Sequence, residues 1–387
     1  MKGVRQPDSR IHWADTAKGL IILVIVAVHV AEHLEGAGYP QRFVRQALDS
    51  VTPIGMPFFF MVSGMFSRTY LDGSWRAFWR HRISILSWLL IVWTPIESAL
   101  FAVIPSFTDP VHPFHLRQIA RQLLFPTSYL WFIWSLVVYS LVAKVMGRRG
   151  WNAKLVIASA PTLFLLGFTV WHLHKYGIIW LADNFYARCV LTYFFFFYLG
   201  YVQRERILAI TSLPVVATMV ATLALFGLLF WVTLMPLSII VGAAVRFAAI
   251  AIGIVAAIYT GKSLALDSRV RRLFFGLGAL TLPIYLVHLV VLMPIAYWLH
   301  GQQSPVLLAM GGGLTLGLTV VCVLLSIGVM AVGARLGLTF VLFPPAFWVN
   351  LFGAEKIAPA PAELLEADRG AEPAPPQDPA SITAAGG

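Results

Sequence analysis

The stretch Asp15-Thr-Ala-Lys18-Gly-Leu-Ile-Ile-Leu-Val-Ile-Val-Ala-Val-His29-Val-Ala-Glu32-His33 decides how the chain is read. Its centre, Gly19 to Val28, holds no polar side chain, and such a run reads as a membrane-spanning helix. Asp15 and Lys18 interrupt its start and no small-residue cleavage site follows closely, so a retained span is expected in place of a cleaved signal peptide. Lys18 and His29 lie eleven positions apart, which on a helix is about 1100° of rotation, within roughly 20° of alignment, and about 16 Å of rise. One stripe of this helix therefore carries a cation, a titratable imidazole and, a turn further on, the carboxylate of Glu32 beside His33.

The rest of the chain agrees with this reading. Of 387 residues 59% are hydrophobic and only 12% charged, with a mean hydropathy of +0.80, which excludes an ordinary soluble globular protein. Apolar segments recur at Ala17–Leu34, Val51–Ser67, Ile83–Ile104, Tyr129–Val145, Leu155–Leu173, Cys189–Val202, Leu213–Leu234, Leu237–Thr260, Leu280–Leu299 and Val306–Ala334. They are continuously apolar and lack the alternation of barrel strands, so the expected fold is all-α, a polytopic transmembrane bundle of about ten helices. The loops are too short for a soluble catalytic domain, so any chemistry belongs within or beside the bundle. Leu338–Phe352 is apolar but broken by Pro344 and Pro345, and reads as an interfacial helix, a re-entrant segment or an eleventh span.

The net charge is +11, and its distribution gives orientation. Of the 28 Lys and Arg residues, 20 fall on the N-terminal arm, alternate loops and the region after the tenth span, against six on the other loops. The positive-inside rule then places both termini in the cytoplasm, in the inner (plasma) membrane. The basic excess describes topology and points to lipid contact, with no nucleic acid needed. From residue 354 the composition turns to Ala, Pro, Glu and Asp, so a membrane body, 1–353, and a disordered cytoplasmic tail, 354–387, are expected. Cys189 and Cys322 lie far apart and suggest no disulfide framework. His112 and His115 lie on a Pro-rich outer loop without a cysteine nearby, and no metal site is expected.

Ionisable groups within spans are costly and usually face a polar cavity or each other. Lys18 can snorkel to the interface or line a path. His29 can be a hydrogen-bonded interior histidine or a proton-transfer group. Glu97 and Arg246 are further buried charges that can pair or line an acceptor path, and Tyr285 and His288 share a face at i and i+3.

The Lys18–His29 spacing, with Asp15 before and Gly19 after, resembles the first-helix signature of the acyltransferase-3 family of integral membrane O-acyltransferases. Further stretches resemble the family in matching order: Pro57-Phe-Phe-Phe-Met-Val-Ser63-Gly64, Arg80-His-Arg82, Leu130-Trp131-Phe132, Phe197-Tyr-Leu-Gly200 and Leu282-Pro-Ile-Tyr285-Leu-Val-His288. The resemblance implies transfer of an acyl group, most often acetyl, from cytoplasmic acyl-CoA (acetyl-CoA or another) to a hydroxyl of a cell-envelope glycan or glycolipid. It implies His29 as general base or centre of acyl relay and Lys18 where many members have Arg, with Asp15 orienting that cation one turn away. Lysine keeps the charge but lacks the two-pronged fork. Arg80 and Arg82 would hold the CoA phosphates, or else act as a positive-inside anchor; Glu32, Glu97, Tyr285 and His288 would line the substrate cavity. No nucleophile elbow or phosphate loop competes. The alternative class is a proton-coupled transporter or flippase for a polar or lipid-linked solute, for which an inverted repeat would be expected; no internal similarity between the halves is evident.

Overall fold

The computed structural model describes residues 11–104, 107, 116–125, 128–302 and 304–352. The expected tail, 354–387, and His112 and His115 lie outside the described residues. Every regular element among those described is helical. Ten long helices follow in order: α1 His12–Gly36, α2 Arg42–Asp72, α3 Trp75–Val103, α4 Trp131–Met146, α5 Trp151–Gly167, α6 Phe185–Ile210, α7 Val215–Thr233, α8 Ile239–Leu264, α9 Thr281–Gln302 and α10 Gly312–Arg335. Eight have the length and apolarity to cross a bilayer, which makes the chain a multi-pass membrane protein. The expected fourth and fifth spans fall on α4 and α5, of 16 and 17 residues, or about 24 and 26 Å of rise against roughly 30 Å of hydrocarbon.

Helix α1 is the hub. It packs against α2, α8, α9 and α10, and its first turns lie on the short helix Ser268–Ala279. Close approach there depends on glycine. A Cβ on Gly278 would overlap the Asp15 carbonyl, one on Gly19 the Phe274 carbonyl, and one on Gly261 of α8 would press on Ala17. The same device joins α2 to α6, where Gly64 faces the Phe197 carbonyl and Gly200 the Met61 carbonyl; small residues let membrane helices approach at backbone distance. By contrast α7 leans on α8 and buries none of its residues, as a lipid-facing helix should.

Sequence chemistry sets the ends. The side chains of Ser74, Asn184 and Ser238 accept from the backbone of Ala77, Ala187 and Val241, capping α3, α6 and α8. Asp267 accepts from the N–H groups of Arg269 and Val270 at 2.8 and 2.9 Å, and these bonds hold its carboxyl below the ordinary range. Helix α2 starts nine residues before the expected Val51, and Arg45 and Asp49 pair across its first turns at 3.0 Å. One π turn, Trp79–Ile83, interrupts α3 at the basic cluster. Leu338–Phe352 forms a 3-10 turn, Leu338–Val341, and a five-residue helix, Ala346–Asn350, too short for an eleventh span. It is strapped to α3 by three indole bonds: Trp88 to the Phe340 carbonyl (2.6 Å), Trp93 to Val341 (2.9 Å) and Trp348 to Ser84 (2.9 Å).

Candidate active site

The far end of α1 opens into a cavity of about 1070 Å³. α1 contributes His29 and Glu32, α2 Arg45 and Asp49, the start of α4 Tyr129 and Trp131, α6 Tyr186 and Tyr193, and α9 Tyr285 and His288. The helical offset of three brings His29 Nδ1 to 3.1 Å from Glu32 Oε2. Glu32 Oε1 lies 2.9 Å from Arg45 Nη1, and Arg45 Nε 3.0 Å from Asp49. The result is a chain of polar contacts that begins at His29 and runs through Glu32 and Arg45 to Asp49 along α2. An ionised carboxylate only accepts, so in the neutral His29 ring Nδ1 carries the proton and Nε2 keeps its lone pair. The Tyr129 ring meets His29 edge-on at 4.9 Å between centroids, and the His288 ring stands 5.4 Å from it. Tyr129 is held in turn by Tyr285, whose hydroxyl donates to its carbonyl.

Glu97 is buried and lines a separate small cavity with Trp93. Tyr129 and Tyr285 line both cavities and so stand between Glu97 and His29. Arg246 does not pair with Glu97: its guanidinium donates to the Leu166 carbonyl at 2.6 Å.

The remaining candidates gather at the opposite end of the bundle. Lys18 Nζ is 2.6 Å from Asp15, the one-turn pair that the sequence predicts, in the glycine-lined contact of α1 with Ser268–Ala279. The pair is about 16 Å of helix rise from His29 and does not line the large cavity. Arg82, on the π turn, donates to Ser63 Oγ at 2.8 Å and Ser140 Oγ at 3.2 Å. Both partners are neutral, and no carboxylate pairs with it among the described residues. Ser63 is eight residues beyond Gly55, which packs on Ile21 and Ile25 of the antiparallel α1; about 12 Å of rise puts Arg82 near the level of Lys18. Arg80 is buried beside it, its carbonyl accepting from Ser84.

The structure thus brings together His29, Glu32, Tyr285 and His288 around the large cavity, pairs Asp15 with Lys18 away from it, and holds Arg82 on Ser63 and Ser140. Sequence reading missed Arg45, Asp49 and Tyr129. The i, i+4 spacing of Arg45 and Asp49 was the available signal, hidden because both stand before the apolar run.

Comparison with known proteins agrees with this architecture. A family model described as an acyltransferase domain, acyltransferase-3, matches residues 11–332, nearly the whole described bundle. The Nodulation protein NolL of Mesorhizobium japonicum is 22% identical over 138 residues, 34% of this chain and 35% of that protein. The chain thus matches about a third of the length of this curated relative. No solved structure matches. With a family match across the bundle, the ordered motifs and the multi-pass helical fold, the chain belongs to the acyltransferase-3 family.

Proposed function

We propose that the protein is an inner-membrane O-acyltransferase that moves an acyl group, acetyl above all, from acyl-CoA to a hydroxyl of a cell-envelope glycan or glycolipid, with His29 as general base. The observation that carries this reading is the His29–Glu32 pair at 3.1 Å, facing a cavity large enough for a sugar. An alcohol is a poor nucleophile until its proton is removed, and a positioned base contributes on the order of 10²–10⁴-fold. As the hydroxyl oxygen bonds to the thioester carbonyl carbon, its proton passes to His29 Nε2; the C–S bond then breaks and the CoA thiolate takes up that proton. Glu32 holds the ring's tautomer and balances the imidazolium.

The two ends of the bundle suit different substrates. The large cavity is lined by Glu32, Glu35, Asp49 and Asp183 against Arg45, a balance that repels the phosphates of CoA and favours a neutral hydroxyl acceptor entering from outside. Arg82, held among the described residues by serine hydroxyls, with Arg80 two residues before it, suits phosphate, so the donor binds at the cytoplasmic end and extends its acyl arm toward His29. Asp15 and Lys18 belong to that donor end.

Full-length protein in proteoliposomes, given acetyl-CoA labelled in the acetyl group and solubilised envelope polysaccharide, should yield labelled ester and an equal amount of free CoA thiol. Proton-driven uptake of solute with no ester formed would replace the enzyme reading with a carrier.

A further inference from the structure

The two ring nitrogens of His288 are treated very differently. Nδ1 lies 3.1 Å from the Ile284 carbonyl and 2.7 Å from the Tyr285 carbonyl on its own helix. Carbonyls only accept, so Nδ1 carries the proton, and in the neutral ring Nε2 is a bare acceptor. The residue is 1% exposed, and Nε2 has no hydrogen-bond partner among the described residues. Unpartnered buried acceptors are rare in folded proteins and call for a reason. The His288 ring borders the large cavity with Nε2 itself covered, and stands 5.4 Å from His29, inclined to it by 34°. His29, tied to Glu32 through Nδ1, offers a second bare Nε2 to the same space. The neighbouring helices fix both rings: Tyr129 meets His29 edge-on, and Tyr285, one turn before His288, is bonded to the Tyr129 carbonyl.

Two acceptor nitrogens on neighbouring rings require two donors. A single alcohol satisfies one and leaves the other desolvated. We propose that His288 binds a second hydroxyl of the acceptor while His29 takes the proton of the reacting one, so that the site selects a pair of adjacent hydroxyls over a lone one. This rests on the acyl-transfer reading for the identity of the reacting group, and adds the substrate class, a vicinal diol, and the residue that reads it. Leaving a buried acceptor unpaired when the second hydroxyl is absent corresponds to a preference of about 5- to 150-fold.

The test uses full-length protein in detergent with trans-1,2-cyclohexanediol and cyclohexanol as probes. Binding is read by protection of His29, the more exposed of the two rings, from diethyl pyrocarbonate, located by peptide mass, and transfer by label from acetyl-CoA. The expected result is tighter protection and faster ester formation with the diol in the wild type, a preference reduced to near unity in His288→Leu, and most of it restored in His288→Gln, whose side-chain amide oxygen reaches the same place. Elution as a single species checks that each variant is folded. Equal protection by the two alcohols in the wild type would overturn the proposal, as would a preference that persists in His288→Leu. A diol preference in protection with no ester on either alcohol would uphold the hydroxyl pair and remove the acyl-transfer reading, so the two failures are distinct.

Discussion

Helix α1 carries two acid–base pairs at the same spacing, Asp15 with Lys18 and His29 with Glu32, and the two ends of the helix treat them in opposite ways. At the first pair the neighbouring backbone closes in. Gly278 sits against the Asp15 carbonyl and Gly19 against Phe274, and the 2.6 Å contact spends the charge of Lys18 on Asp15. At the second pair the bundle opens into about 1070 Å³, and Glu32 is shared with Arg45, so the imidazole keeps one nitrogen for a ligand. An i, i+3 offset makes the pair in both cases. What stands opposite decides whether that pair holds helices together or meets substrate.

The sharpest way to break this contrast is at the bases. His29→Ala should lower ester formation by roughly 10²–10⁴-fold with retention of acyl-CoA binding, and label transfer at the wild-type rate would move the chemistry elsewhere. Glu32→Gln removes the charge that fixes the His29 tautomer, and a loss of roughly 10–100-fold is expected, since hydrogen bonds to charged groups are worth about 1.5–3 kcal/mol; a turnover assay across acceptor concentrations should show it in kcat. The contrast in packing is tested by a matched pair of substitutions. Gly278→Ala forces a Cβ into the Asp15 carbonyl and should destabilise by about 1–3 kcal/mol, read as a lower melting temperature in detergent. Gly55→Ala meets Ile21 at an ordinary 3.5 Å and should change stability by no more than about 1 kcal/mol, in the favourable direction. The smallest effect is expected for Lys18→Arg, which keeps the ion pair to Asp15 and should hold activity within about fivefold, the range of a partly exposed pair. A larger loss, measured by the same ester assay, would mean that the ammonium has a partner besides Asp15.

The Lys18–His29 stripe shows how far local pattern reaches. Its eleven-residue spacing aligns both groups along one helix, yet the same spacing keeps them about 16 Å apart, and of the two His29 borders the large cavity. Arg45 marks the opposite limit. It stands before the apolar run of α2, where the sequence reads as loop, and becomes part of the site because α2 begins early and packs against the end of α1. His288 was visible as a polar residue in a span, but its orphaned Nε2 and its nearness to His29 depend on α9 lying beside α1, across more than 250 residues of chain.

The sequence by itself determined that the chain is a helical membrane protein, where its apolar segments lie, which family it resembles and which polar groups are anomalous, because apolar length, helical period and short motifs are all local properties. Tertiary structure alone decided that His29, Tyr129, Tyr285 and His288 share one cavity, that the Asp15–Lys18 pair stands outside it, and that Arg82 rests on serines of two other helices. The physical reason is that helix–helix contact in a bilayer is set by close packing of small residues and by the pairing of buried polar groups, and both depend on which helices become neighbours.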